Sequence, residues 1–193
     1  MHIKYFGDSY DIVKQSFIRW LGDFGEWSVH PMFTEPVTPA DTSAFTTFLG
    51  ARLLSDAVLK ADTDRPTYFA CASRCGNLFL DPNTGLRVMS VNGRRAPQFL
   101  FASELIFLVQ NRPAAALTLV FDQSHPRGSA GLVSLNQKLQ HLSDHQIPAF
   151  AYASHACFIV AGHDPVLVKN ARARLLAKSQ LPEYRLVSQT LST

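Results

Sequence analysis

Apolar positions along this chain follow two rhythms. Val13, Phe17, Trp20 and Leu21 recur at i, i+4, i+7 and i+8, the spacing of one helix face. Gly22 and Gly25 close that helix. His2 to Phe6 before it reads as a first strand, and Trp27 to Phe33 after it as a second. Thr38-Pro39-Ala40-Asp41 starts the next helix, with Thr at the N-cap, Pro at the first helical position and an acid at N3. That helix runs to about Leu54, with Phe45, Phe48, Leu49 and Leu53 inward. Tyr68 to Ala72 predicts a third strand. Leu78 to Leu80 and Leu86 to Val88 flank Asp81-Pro82-Asn83-Thr84-Gly85, which is turn chemistry for a β-hairpin.

Pro97 to Val109 is nearly all apolar and predicts a helix buried on more than one side, with Phe101 and Phe107 inside. Leu117 to Phe121 is the short apolar run expected at the centre of a parallel sheet. Leu132, Leu135, Leu139 and Leu142 mark a helix. Pro148 to Ala153 is a strand that Phe158-Ile159-Val160 would continue. Asp164-Pro165 opens a helix to about Gln180, and Arg185 to Val187 reads as an edge strand. Strands and helices thus alternate. The expected fold is α/β, a mostly parallel sheet with helices on both faces and a β-hairpin insertion, in a single domain over 1–193.

Composition narrows the function classes. Of 193 residues 47% are hydrophobic and 17% charged, which excludes wholesale disorder. No apolar run reaches the ~18–20 residues of a membrane span, so no membrane partner is expected. Three cysteines, Cys71, Cys75 and Cys157, are too few and odd in number for a disulfide scaffold, and an acid at Asp8 comes too soon for a signal peptide. Both point to a cytoplasmic location. The net charge of +3 admits an anionic partner such as RNA or DNA without requiring one.

Open α/β sheets bind ligands beyond the carboxyl ends of their strands. Asp8 and Asp11 follow the first predicted strand, Thr34 and Glu35 the second, Ser73 and Arg74 the third. Asp122, Gln123, Ser124 and His125 follow Phe121, and Ser154 and His155 follow Ala153. Clustered carboxylates repel unless a cation or proton lies between them, and an oxygen-only set suits Mg²⁺ or Mn²⁺. Asp8 and Asp11 share a helix face, where capping and ligation are both open to them. Asp41 and Asp164 are caps. His141 and His145 lack the Glu of a metalloprotease helix and read as solvated. Cys71 and Cys75 lack a second pair for zinc, and Cys157 reads as a buried apolar thiol. Walker A, GxGxxG and GxSxG motifs are absent.

An acid directly after the first strand, Asp8, and another directly after Phe121, Asp122, resemble the pattern of PIN-like nucleases. The resemblance implies a small α/β sheet holding Mg²⁺ or Mn²⁺ between Asp8 and Asp122, with Glu35 or Glu104 as a further acid. Asp11, sharing a helix face with Asp8, is expected to join them as a metal ligand. It implies cleavage of RNA or DNA, so the expected function is a divalent-metal-dependent nuclease or phosphodiesterase. Where that family carries another acid after its fifth strand, this chain has Ser154-His155. The metal would generate a hydroxide nucleophile, His125 and His155 would assist proton transfer, and Arg127 would bind phosphate. Asp8→Asn and Asp122→Asn are then expected to abolish turnover with the fold intact. Two alternatives stay open. One is a non-catalytic α/β binding or partner module. The other is a phosphomonoester hydrolase of haloacid dehalogenase type using Asp8, although Tyr10 stands where that family has a second Asp.

Overall fold

The computed structural model describes residues 5–126, 128–155 and 157–188. Nine strands occur among them: β1 (Trp27–His30), β2 (Arg52–Leu53), β3 (Asn77–Leu80), β4 (Gly85–Arg87), β5 (Phe99–Phe101), β6 (Leu117–Asp122), β7 (Ala149–Tyr152), β8 (Cys157–Gly162) and β9 (Leu186–Ser188). Seven of them form one sheet in the order β2-β1-β3-β6-β8-β7-β9, and β4 and β5 form a second. From β2 to β6 the neighbours are parallel; β8 then runs antiparallel to both β6 and β7, and β9 antiparallel to β7. Five of the seven strands therefore point the same way, and the chain is α/β with a mostly parallel mixed sheet.

Alternation along the strands supplies two cores. Leu78, Leu80, Val120 and Ile159 face α3 (Arg65–Phe69), α4 (Ala102–Gln110) and α5 (Ser129–Asp144). Phe79, Leu119, Phe121, Phe158 and Val160 face α1 (Ser9–Trp20), α2 (Pro39–Leu49) and α6 (Pro165–Ser179). Every residue of β6 is buried, because parallel and antiparallel neighbours flank it and helices cover both faces. Helix starts follow their local signals. The Asp8 side chain accepts from the Tyr10 and Asp11 amides, Thr38 and Asp41 form a reciprocal capping box, and Asp164 accepts from Val166 N.

Four expectations change. Of the predicted first strand, His2, Ile3 and Lys4 lie outside the described residues, and Tyr5 and Phe6 form a turn; Phe6 packs edge-on against Phe45 and Phe48. Tyr68 and Phe69 are helical in α3, since Asp64 caps its start and Pro66 occupies its first turn, which outweighs aromatic β-propensity. Phe158 to Val160 does not extend β7 but returns beside it, pairing Phe150 with Val160. The hairpin after β3 does not form. β4 leaves β3 and pairs in parallel with β5, while the amide of Leu86 donates to the Asp122 carboxylate at 3.1 Å. That bond draws the segment to the end of β6. Gly85 permits it: φ is +138°, and a Cβ there would lie 2.1 Å from Asp122 Oδ1. Gly85→Ala should therefore cost more than about 2 kcal/mol, measurable by urea unfolding.

Two predicted helices are also shorter. The one from Thr38 ends at Leu49, where Gly50 turns left-handed and Arg52–Leu53 forms β2, and the one over 97–109 loses its first turns. Phe99, Leu100 and Phe101 go into β5, and α4 begins at Ala102. Leu105 and Leu108 are fully buried, whereas Phe107 is 56% exposed. Leu105→Ala should cost ~2–5 kcal/mol, while Phe107→Ala should stay within about 0.5 kcal/mol. Among the described residues no helix is long and apolar enough to cross a membrane.

Candidate functional site

Two adjoining clefts open around the ends of β3, β6 and β7, and both are lined by Tyr10 and Gln123. The first, about 270 Å³, is lined by Asp8, Asp11, Lys14, Asp81 and Asn83, with Tyr5, Tyr10 and Phe121 as its aromatic residues. Its centre is Lys14, whose ammonium lies 2.9 Å from Asp11 Oδ1, 2.9 Å from Asp81 Oδ2 and 4.4 Å from the Phe121 ring centroid. All three charged groups are at most 5% exposed. Burial alone would lower the Lys14 pKa; the carboxylates of Asp81 and Asp11 outweigh it and raise it, so the ammonium stays charged. Asp11 also accepts from Gly7 N at 2.8 Å.

Asp122 is placed differently. It is fully buried and lines neither cleft. Oδ2 accepts from Lys138 Nζ at 2.6 Å, and Oδ1 accepts from Leu86 N, Ser124 N and the Ser124 hydroxyl. Glu35, half-buried in the loop after β1, also lines neither cleft. Glu104 accepts from Phe101 N at 2.8 Å and pairs with Arg65, so it braces β5 and α4. Among the described residues no group of three or more His, Cys, Asp or Glu is placed to hold a metal ion. Asp8, Asp11, Asp122 and Glu35 thus do not fit Mg²⁺ or Mn²⁺ as a set. Protein ammonium groups stand where the sequence reading puts the cation.

The second cleft, about 630 Å³, gathers His125, Ser154, His155, Cys157, Tyr184 and Arg185. Arg127 lies outside the described residues, but its neighbours Pro126 and Gly128 line this cleft. Among the described residues no carboxylate does. The amino end of α5, a 16-residue helix, also opens here: Gly128 is its N-cap and no side chain caps it. Gly131 lets the preceding loop approach, since a Cβ there would meet Pro126 O at 2.3 Å. His125 Nε2 lies 3.3 Å from Cys157 Sγ, and burial pushes that thiol up to about 11.

Sequence reasoning missed Asp81, Lys14 and Lys138. A signal existed for each. Leu78-Phe79-Leu80-Asp81 repeats the apolar-strand-then-acid pattern of Leu119-Val120-Phe121-Asp122. Lys14 sits three residues before Phe17, and Lys138 is three after Leu135 and four before Leu142, both on inward helix faces. A lysine on such a face needs a buried anion. Comparison of the chain with family models, curated proteins and solved structures returns no match.

Proposed function

We propose that this protein binds a phosphate-bearing ligand in the second cleft. The observation that carries the reading is the amino end of α5, without a side-chain cap, opening into a cleft that holds His125, His155 and Arg185 and, among the described residues, no carboxylate. The free amides and dipole of a helix start favour an anion. Arg185, whose guanidinium donates to Ala153 O at 3.2 Å and stacks on Tyr184, adds a fixed positive charge at the rim. Tyr10 and Tyr184 offer faces on which a nucleobase would stack.

Pyrophosphate and short RNA and DNA oligonucleotides are the probes, at low salt, by calorimetry. Ser129→Asp puts a carboxylate in the first turn of α5, where it stabilises the helix yet repels an anionic ligand. Binding should weaken about fivefold, in line with ~1 kcal/mol at a helix end, while the melting temperature holds or rises. Arg185→Gln should weaken it similarly. Unchanged affinity in both variants, or no binding by the parent, sinks the reading.

Metal-dependent phosphodiester cleavage is the second reading: Asp8, Asp11 and Asp81 line the adjoining cleft, and a metal ion there would have to displace Lys14 from Asp11 and Asp81. Asp8→Asn keeps a good helix cap and so isolates this question. If Mn²⁺ or Mg²⁺ supports turnover of labelled oligonucleotides and Asp8→Asn abolishes it, the protein is a nuclease; binding without turnover leaves it a binding module.

A further inference from the structure

We propose that Cys157 and His125 form a nucleophile–base pair that accepts an acyl group from an ester whose alcohol portion carries a phosphate. The phosphate part rests on the binding reading above; the thiol chemistry does not. Cys157 opens β8 and His125 follows β6, and the antiparallel register that sets Cys157 opposite Asp122 brings the two side chains together. Their 3.3 Å separation is within reach of a thiol–imidazole hydrogen bond, and both line the 630 Å³ cleft. The thiol donates to Ser154 O at 3.1 Å and accepts from Ser154 N at 3.5 Å, which holds Sγ at the cleft wall, and its proton turns from Ser154 O to His125 for the transfer. His125 Nδ1 is buried and makes no hydrogen bond among the described residues, so no carboxylate among them fixes the ring's tautomer, and Nε2 takes the thiol proton when the ring carries its own on Nδ1.

The chemistry balances without a cofactor. Sγ bonds to the ester carbonyl carbon as its proton passes to His125 Nε2. The C–O bond to the alcohol breaks, and the alkoxide leaves with that proton. Water then cleaves the thioester, releasing the acid and restoring the thiol. The start of α5 borders the same cleft through Gly128 and Gly131, and its dipole favours the oxyanion of the tetrahedral intermediate. A thiol kept protonated at rest, beside the buried Asp122 charge, is compatible with this route, because the proton leaves only as the bond forms. A neutral carbonyl, unlike a phosphate dianion, does not repel the sulfur.

The test uses p-nitrophenyl acetate, an activated ester with no phosphate, followed by peptide mass spectrometry. The parent should release one equivalent of nitrophenol in a burst and carry acetyl on Cys157. Cys157→Ala should abolish the burst, and His125→Gln should slow it about 100-fold at pH 7.5. In His125→Gln the rate should climb steeply with pH toward the thiol's own ionisation near 11, while the parent's profile should be markedly shallower; parallel profiles are what a merely structural histidine gives and overturn the pair. The exposed Cys71 is the internal reference. Acetyl on Cys71 rather than Cys157, a burst that survives Cys157→Ala, or equal rates with and without His125 overturns the pair. Pyrophosphate should slow acetylation of Cys157; an intact burst without such protection overturns the phosphate-bearing substrate and leaves the nucleophile standing.

Discussion

Asp122→Asn should destabilise the fold by ~3–5 kcal/mol, the cost of removing one partner of a buried ion pair. Lys138 Nζ lies 2.6 Å from Asp122 Oδ2, with the lysine side chain 6% exposed and the aspartate's 0%. Asparagine keeps an acceptor for Leu86 N and Ser124 N but leaves the ammonium in a buried place without its counter-charge. Lys138 also contacts Ser124 Oγ at 2.9 Å, a neutral group that cannot replace a carboxylate. The expectation from sequence, an intact fold after this substitution, assumed unrelieved repulsion between acids. The lysine reverses its sign. Urea unfolding followed by Trp20 and Trp27 fluorescence reads the loss directly. Adding Lys138→Met should recover part of it, since a double change removes the orphaned charge along with its partner. A loss below ~1 kcal/mol for Asp122→Asn would mean that Lys138 reaches solvent.

Lowering the pH from 7 to 4 should remove about 3 kcal/mol through His30 alone. This histidine ends β1, is fully buried, and packs its ring against Tyr68 and Phe69. Nε2 lies 3.4 Å from Tyr68 O, and Nδ1 makes no hydrogen bond among the described residues. Burial lowers its pKa from 6.5 to about 4. Above pH 6.5 neither the folded nor the unfolded chain protonates it, and stability is full. Below that the unfolded chain takes up a proton that the folded chain refuses, so stability falls until pH 4, where both accept it. At about 1.4 kcal/mol per pH unit the window gives the stated loss. His30→Gln stays neutral throughout. The difference in stability between parent and variant should therefore shrink by about 3 kcal/mol from pH 7 to pH 4. A difference that stays constant would show that His30 protonates in place.

Much of the architecture was legible in local pattern. The Thr38-Pro39 and Asp164-Pro165 starts, the Asp8 cap and the helical spacing of Val13 to Leu21 are signals confined to one turn of chain, and each element formed there. The apolar run Leu117 to Phe121 marked the central strand, because a strand covered on both faces has no polar side to show. Alternation of strands and helices then required two cores. Local competition explains most of the misses. At Tyr68 a capping Asp64 and Pro66 outweighed aromatic β-propensity, and at Gly85 turn residues that suit a hairpin served a crossover to β6 instead.

The candidate site was legible only in part. The chain by itself placed His125 and His155 after apolar strands, and placed Asp8 and Asp11 at one helix start. It could not say which cation each acid meets, because that depends on strand order. Asp81 follows β3 and Asp122 ends β6, adjacent strands, yet the two meet lysines from helices on opposite faces, Lys14 of α1 and Lys138 of α5. Lys14 reaches Asp81 across 67 residues of sequence. Cys157 meets His125, 32 residues away, because β8 runs antiparallel beside β6. Propensity and capping act over a few residues, so sequence determined the elements and their faces. Long-range strand pairing decided which charges share a buried space, and with it which acids hold the fold together and which line a cleft.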